Sequence, residues 1–329
     1  QRTTLKQIAR HLGVSATTVS RALNGQARRY RITPAMESRV RAAAQELGFT
    51  PNEVARGLRL NRTATIGLVI PDISNPFFAG IGHHVAIEAR KRGYSLILCD
   101  SQDDAELEIA ALNALRRRSV DGLLVCPVGQ SMGHLKELER AGLPAVVMDR
   151  YFADLNLPSV ASDNAGEARE ATEYLIRCGY RRIGCIQGLA GTAPNEDRLK
   201  GYRNALARGD SFAEESGYIG AMQLLSGSRD VTAILAFASP IALGVLRAVS
   251  ELGLRVPNDL SLITFDEQPY SAHLSLTSVA QRQVEMGETG FSLLMRWIQT
   301  REQRPTSGVV LPTGMIHRAS VRRLCSESN

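Results

Sequence analysis

Residues 3–25 read TTLKQIARHLGVSATTVSRALNG, and this stretch decides the fold of the first part of the chain. Thr4 followed by Gln7 is the pattern of a capping box, and apolar residues at helical spacing follow it as far as Gly13. Ser15 then caps the start of a second helix. Two short helices joined by a turn that contains glycine are typical of a helix-turn-helix.

The second helix is rich in hydroxyl residues, which are poor helix formers because their side chains compete for backbone hydrogen bonds. Such a helix suits contact with DNA. Hydroxyls on its outer face can donate to phosphates and base edges, while Val19 and Leu23 hold its inner face on the bundle. Arg21 lies one turn further along and can bind a guanine edge through two hydrogen bonds.

A third helix starts at Thr33 and Pro34, which completes a three-helix head over residues 1–49.

The charge of the chain is unevenly spread. Residues 1–62 contain twelve Lys or Arg and three Glu, whereas the remaining residues contain 27 basic and 30 acidic side chains. A basic head on a slightly acidic body indicates a polyanion as the partner of the head; a solvated basic surface is the alternative.

Residues 51–59 read PNEVARGLR, in which Val54, Ala55 and Leu58 are spaced for one short helix. A helix of this length is marginal on its own in water, so we expect it to have a partner. One hypothesis is that Leu58 enters the minor groove as a wedge and kinks the DNA. The other is that the helix packs on the body as an ordinary linker. We assign residues 50–62 to this hinge helix and linker.

From residue 63 onward, short apolar runs alternate with helical stretches, which predicts an α/β body with two doubly wound parallel sheets. The first series of strands is ATIGLVI, YSLILC, DGLLVC and LPAVVMD. The second is LPSVASD, RRIGCIQ, VTAILAF and LSLITFD. We assign residues 63–158 and 282–304 to a first half, and residues 159–281 and 305–329 to a second. Such halves place a ligand cleft between them, at the carboxyl ends of the strands.

The sequence contains none of the common motifs for nucleotide binding, zinc binding or serine hydrolase catalysis. There is no G-x-G-x-x-G after the first strand, no P-loop, no H-E-x-x-H and no G-x-S-x-G, so we expect no catalytic residue, metal site or cofactor. No apolar run approaches the ~20 residues that span a bilayer and no signal segment opens the chain, so we expect a cytoplasmic protein without a membrane partner. The cysteines form no C-x-x-C pair, and we expect buried free thiols at Cys99, Cys126, Cys178, Cys185 and Cys325.

The head resembles that of the LacI (lactose repressor) family in TTLKQIARHLGVSATTVSRALNG and in ITPAMESRVRAAAQELGFTPNEVARGLR. The body resembles the effector-binding core of that family, itself similar to periplasmic sugar-binding proteins. The matching segments are IGLVIPDISNPFFAGI, VDGLLVCP, VVMDR, SDNAGEA, EDRLKGY, ELGLRVPNDLSLITFDE and LTSVAQ. The loop QARRYR at 26–31 and the turn FASP at 237–240 are similar to the fructose and sucrose repressor branch. About a dozen residues with a strand, which the family has near 207–210, are missing from this sequence: either the loop is truly short, or the sequence lacks a stretch of the protein.

The resemblance implies a repressor that binds double-stranded operator DNA as a homodimer or tetramer, and whose affinity is controlled by a sugar or sugar phosphate. Residues expected to contact DNA are Thr4, Ser15, Ala16, Thr17, Thr18, Ser20, Arg21, Asn24, Arg29, Tyr30, Val54, Ala55 and Leu58. Residues expected to contact the effector are Phe77, Phe78, Arg150, Arg198, Ser239, Asp266 and Gln281. Aromatic rings with Arg and Asp suit a polyhydroxylated ring.

Simpler interpretations exist for these residues. One of the two phenylalanines could belong to the core, Arg198 and Asp266 could pair with each other, and Arg150 could lie on the surface. The alternative class of protein is a sugar-binding protein or a sugar-processing enzyme that shares the body fold. The missing signal segment argues against the first, and the missing nucleophile–base pair argues against the second.

Overall fold

The structure is a computed structural model. It describes residues 3–49, 62–129, 131–202, 213–227, 231–300, 305 and 308–324. The chain divides into two compact units, Gln1–Thr63 and Ala64–Asn329, which hold the head and the body. The predicted hinge helix and the region near 207–210 lie outside the described residues.

The head consists of three helices: α1 (Leu5–Leu12), α2 (Ala16–Leu23) and α3 (Pro34–Glu46). The capping box of Thr4 and Gln7 is present, and Gly13 ends α1 in the left-handed region at φ 66°. Ser15 and Thr33 cap the next two helices through their side chains. Together the helices bury one small core, made by Ile8, Ala9, Val19, Ala22, Val40, Ala43 and Ala44. The helix-turn-helix predicted from the sequence is therefore confirmed.

The first half of the body contains a six-stranded sheet whose neighbouring strands are all parallel. Its strands are β1 (Thr65–Ile70), β2 (Ser95–Asp100), β3 (Gly122–Val125), β4 (Ala145–Met148), β5 (Ser159–Ser162) and β10 (Val309–Leu311), in the order β10-β5-β4-β3-β1-β2. Its helices are α4 (Pro76–Lys91), α5 (Ala105–Arg117), α6 (Gly133–Ala141) and α12 (Gln283–Thr300). Alternate residues of a strand face opposite sides, so Leu68 packs with α4 and α12 while Val69 packs with α5 and α6.

The second half contains a five-stranded sheet in the order β11-β9-β8-β7-β6, in which only β11 runs antiparallel to its neighbour. Its strands are β6 (Ile183–Ile186), β7 (Ala233–Ala236), β8 (Ser261–Phe265), β9 (Thr277–Ala280) and β11 (Gly314–Ile316). Its helices are α7 (Asn164–Arg177), α8 (Ala193–Gly201), α9 (Glu214–Gly227), α10 (Ser239–Glu251) and α11 (Pro269–His273). Buried apolar clusters lie on both faces of this sheet too.

The placement of two strands differs from the sequence interpretation. The alternating pattern assigns the run LPSVASD to the second series, yet its strand β5 pairs with β4 in the first sheet, and β10 pairs with β5. The physical reason is packing: Leu155 and Leu157 of the connection bury in one core cluster of the first half, and Val160 buries in the other. The chain thus leaves the first half after residue 162, and returns to it for α12 and again for β10 at 309–311.

The described cysteines are free thiols, as expected, but Cys99 is only half-buried, whereas Cys126, Cys178 and Cys185 are buried. Within the described part of the chain, no helix is long and apolar enough to cross a membrane. The same part holds no cluster of side chains suited to a metal ion.

Candidate DNA-binding and effector-binding sites

The outer face of the helix-turn-helix carries the side chains predicted to touch DNA. Exposed residues among them are Thr4, Ser15, Thr17, Asn24, Arg29 and Tyr30. Half-buried residues among them are Ala16, Thr18, Ser20 and Arg21. The remaining three, Val54, Ala55 and Leu58, lie outside the described residues.

Several of these polar groups are already ordered by local hydrogen bonds. Ser15 Oγ accepts from the N–H of Thr18 at 3.0 Å, and the two hydroxyl oxygens lie 2.8 Å apart. At the other end of α2, the amide of Asn24 donates to the carbonyl of Ser20 at 2.6 Å. The exposed amino end of α2 therefore has its cap formed, and helix amino ends attract phosphate oxygens.

Arg21 is held by a residue from the basic loop at 26–31. Its guanidinium carbon lies 3.7 Å from the centre of the Tyr30 ring, and that of Arg29 lies 5.8 Å from the same centre. The loop is fixed against the end of α2, because the N–H of Gln26 donates to the carbonyl of Arg21 at 3.0 Å and Ala27 is buried. Sequence reasoning identified Arg21 and Tyr30 separately and missed their stacking.

In the body, both aromatic residues predicted for the effector site lie at the start of α4. Phe77 and Phe78 pack edge-to-face with their ring centroids 5.2 Å apart, and both are buried. They belong to the apolar core of the first half and also line the cleft between the halves. Core packing and cleft lining are thus combined in the same pair.

Arg150 is a cleft residue rather than a surface residue, since it is only 2% exposed. It follows β4, and its Nη1 atom donates to the carbonyls of Pro127 and Val128 and to Asp103. The loop that accepts these bonds is itself anchored, because the N–H of Val128 donates at 2.6 Å to the buried carboxylate of Glu108. Arg150 is therefore fixed in position.

Arg198, on α8, faces the cleft from the second half and is 3% exposed. Its Nε donates to the side chain of Asn164 at 2.8 Å, its Nη1 donates to the carbonyl of Phe237, and its guanidinium carbon lies 4.1 Å from the centre of the Phe265 ring. Burial lowers the pKa of Arg198, although Asp266 and Asp149 favour its charged form.

Asp266 directly follows β8, lies in the left-handed region at φ 69° and accepts a hydrogen bond from the side-chain amide of Gln281. The backbone N–H of Ser239, at the start of α10, also donates to it. Burial raises the pKa of Asp266, while Arg198 and these donors act in the opposite direction. Six of the seven predicted effector residues therefore line one cleft. The seventh, Ser239, is buried and is not among the lining residues, whereas the preceding Ala238 is.

Sequence reasoning missed Asp149 and Asn75, which line the same cleft. Asp149 directly follows β4 at φ 64°, as Asp266 directly follows β8, and its Oδ1 is buried without a hydrogen-bond partner among the described residues. Burial raises the pKa of Asp149 to about 6, although Arg150 and Arg198 act in the opposite direction. The parallel endings VVMD and LITFD were a signal that could have identified it.

The cleft is closed in this structure. The space among its lining residues is about 20 Å³, which is room for about one water molecule. A hydrogen bond between described residues crosses from half to half beside it: the hydroxyl of Tyr151, after β4, donates to Asp197 on α8 at 2.6 Å. A sugar would therefore enter this cleft only after the halves move apart.

Comparisons with known proteins agree with both parts of this architecture. Residues 4–52 match the family described as bacterial regulatory proteins, lacI family. Residues 63–316 match the family described as periplasmic binding proteins and sugar binding domain of LacI family. The ribose operon repressor of Halalkalibacterium halodurans is 34% identical over 331 residues, which cover 97% of each chain. The HTH-type transcriptional repressor PurR of Yersinia pestis is 35% identical over 336 residues, which cover 97% of this chain and 96% of that protein.

Two solved structures are also similar. A LacI family transcriptional regulator from Enterococcus faecium with bound ribose has a TM-score of 0.71 at 27% identity, over 79% of this chain and 100% of that one. The lac repressor dimer bound to operator has a TM-score of 0.88 at 24% identity, over 98% of this chain and 100% of that one, and it supports the fold.

The chain belongs to the LacI family of bacterial regulatory proteins. It is a DNA-binding repressor of the kind controlled by a small-molecule effector, and its relatives in the family are regulators rather than enzymes. The relatives reported above are a ribose operon repressor and the repressor PurR, so they give no support to the fructose and sucrose branch that the loop at 26–31 and the turn at 237–240 suggested.

Proposed function

We propose that this chain is a homodimeric repressor in the bacterial cytoplasm that binds operator DNA through the head and senses a neutral, ribose-sized sugar in the cleft of the body. A homodimer follows from the head, since helix-turn-helix proteins read two half-sites with two copies of one recognition helix. The DNA contacts in this proposal come from α2, from the loop that carries Arg29 and Tyr30, and from the hinge.

The observation that carries the choice of effector is the charge balance of the cleft. Arg150 and Arg198 are both buried there, and so are Asp149 and Asp266. A phosphate dianion would gain from the two guanidiniums but would be opposed by the two carboxylates. A neutral sugar instead finds acceptors and donors for several hydroxyls, and the two phenylalanine rings can cover its apolar face.

The relatives also favour a neutral sugar as the effector. Ribose operon repressors are among the proteins that match the whole chain, and one similar structure holds ribose. The repressor PurR, whose name mentions no sugar, also matches the whole chain. Hypoxanthine, a base without sugar hydroxyls, is the second candidate. Sugar phosphates, which the sequence left open, are the third candidate.

Binding would act by a population shift. A sugar held between the halves favours one mutual arrangement of them, and a dimer passes that arrangement to its two hinge segments. The effector-contacting residues in this account are Phe77, Phe78, Arg150, Arg198, Asp266, Gln281 and the newly found Asp149 and Asn75; Ser239 acts through its N–H on Asp266.

Calorimetry with the full chain separates these candidates. The panel is ribose, free hexoses, fructose 1-phosphate, fructose 1,6-bisphosphate and hypoxanthine. We expect heat of binding with ribose or another neutral monosaccharide, and none with that sugar for Arg198→Ala. Binding of hypoxanthine alone, or of phosphorylated sugars alone, would refute the proposed effector class.

A further inference from the structure

The edge of the first sheet where its strands begin is also the place where the chain enters the body. The N–H of Ser95 donates to the carbonyl of Ala64 at 2.8 Å, and the N–H of Asp121 donates to the carbonyl of Thr65 at 2.8 Å. Strand β1 lies between β2 and β3. Neighbouring strands are ~4.8 Å apart, so the loops that lead into β2 and β3 lie about 10 Å apart, on either side of the entry point.

Each of these two loops is preceded by three consecutive basic residues. Arg90, Lys91 and Arg92 end α4, and Arg116, Arg117 and Arg118 end α5. All six are exposed. We call this group the basic edge. In the part of the chain that the structure describes, Lys91 pairs with Glu88 at 2.6 Å. Since residues 63–329 carry more acidic than basic side chains in total, this concentration of positive charge is local.

The opposite edge of the same sheet is acidic. The residues that end β2 or follow β1, β2 and β4 include Asp72, Asp100, Asp103, Asp104 and Asp149. The entry edge thus carries six basic side chains beside Asp121 and Glu88, whereas the cleft edge carries these five carboxylates beside Arg150.

Stabilisation of helix dipoles does not account for three cations at each helix end. A cation in the last turn of a helix contributes roughly 0.3–1 kcal/mol at a surface site. Within this chain, α10 has no basic residue in its last turn and α7 has only Arg177. Adjacent like charges also repel each other, so the triplets call for a partner that is strongly negative.

The segment between the predicted hinge helix and the body is short, which limits how far the basic edge can lie from DNA bound by the hinge. From Leu58 to Ala64 the chain can span at most about 20 Å, at ~3.3–3.6 Å per residue. If Leu58 contacts the minor groove, Ala64 lies at most about 20 Å from the DNA, and closer wherever the connection is not fully extended. Phosphates within about one Debye length, roughly 8–10 Å, attract exposed Lys and Arg.

We infer that the basic edge forms a second contact with the backbone of the operator DNA, beyond those of the head and hinge. This inference rests on the DNA-binding function proposed above. The contact would strengthen binding without reading base sequence, because phosphates carry no sequence information.

The test uses the full chain and a duplex selected from a random library with the unaltered protein. One variant carries Arg116→Gln, Arg117→Gln and Arg118→Gln, since Gln has a helix propensity close to that of Arg. The matched control carries Arg169→Gln, Arg177→Gln and Arg255→Gln, three exposed arginines of the second half. Fluorescence anisotropy gives the dissociation constant from about 50 to about 200 mM KCl.

We expect the basic-edge variant to bind the duplex about three- to ten-fold more weakly than the control at low salt. Its salt slope should fall by ~1 for each phosphate that the basic edge no longer neutralises. Its melting temperature and its preferred sequence should match those of the control. A salt slope and an affinity equal to those of the control would overturn the inference, and would leave an acidic protein surface as the partner. Failure of the unaltered protein to select any duplex would instead refute the proposed function.

Discussion

The guanidinium of Arg21 stacks on the ring of Tyr30, with its central carbon 3.7 Å from the ring centre. The first residue belongs to the recognition helix and the second to the basic loop that follows it. Such a cation–π contact contributes ~0.5–1 kcal/mol at an exposed site, which is enough to favour one orientation of a long side chain. The loop therefore helps to orient the arginine that the recognition helix presents to a base.

Arg21→Ala should cost about 1–3 kcal/mol of binding free energy and relax the base preference at one operator position. Tyr30→Ala should relax the same position to a smaller extent, because the ring no longer orients the arginine. Tyr30→Phe keeps the ring and serves as the control. Sequence selection with each variant provides the measurement. An equal loss of affinity on all sequences for Arg21→Ala would mean that this arginine contacts only phosphate.

Leu58→Ala tests the hinge hypothesis. A smaller side chain cannot wedge apart a base step, so the variant should bend operator DNA less and bind it more weakly, while its affinity for the effector stays the same. The bend angle is read from a circular-permutation gel assay. An unchanged bend angle would favour the alternative, in which the segment packs as a linker.

Tyr151→Phe removes the hydrogen bond that crosses the cleft to Asp197. Because the cleft has no room for a sugar while it is closed, removal of this bond should speed the association of the effector. A bond to a carboxylate is worth about 1.5 kcal/mol or more, so the expected increase is about ten-fold or more. Tyr218→Phe, which removes a hydroxyl–carboxylate bond within the second half, is the matched control. Stopped-flow rates equal to those of the control would count against the closed cleft as a barrier.

Asp149→Asn should stabilise the protein above pH 6. Burial raises the pKa of Asp149 from 3.8 to about 6. Between about pH 4 and pH 6 the folded state therefore keeps a proton that the unfolded state has released, and the free energy of unfolding falls as the pH rises. The variant avoids this cost, which is of the order of 3 kcal/mol.

The measurement for Asp149→Asn is denaturant unfolding at about pH 5 and about pH 7.5. The advantage of the variant should be largest at the higher pH and should shrink at the lower one. A variant that is less stable at the higher pH, or an advantage that does not change with pH, would contradict the assignment of a costly buried charge.

Much of the fold could be predicted because local signals and packing agree. The cap residues Thr4, Ser15 and Thr33 mark the starts of the head helices, and apolar runs mark the strands at nearly their observed bounds. Sheet membership could not be predicted in this way. Strand β5 joins the first sheet because Val160 and its neighbours find an apolar core there, and such a choice depends on tertiary packing.

The effector cleft was likewise predicted only in part from the sequence. Six residues predicted for the effector site line it, because family motifs placed them at the ends of strands and helices. Asp149 was missed although VVMD parallels LITFD, because that pattern does not show that the Asp149 side chain is buried or that its backbone is left-handed. The stacking of Arg21 on Tyr30 was missed because it depends on how a loop returns to the helix before it.

The central claim is that a small neutral sugar in the cleft controls the affinity of the head for DNA. The most direct measurement is the dissociation constant of the full chain for its selected operator, with and without saturating ribose, for the unaltered protein and for Arg198→Ala. The account predicts that ribose changes the operator affinity of the unaltered protein by about ten-fold or more, within the usual range of allosteric coupling, and has no effect on that of Arg198→Ala. An operator affinity that ribose and other neutral monosaccharides leave unchanged, or the same response in both proteins, would contradict it.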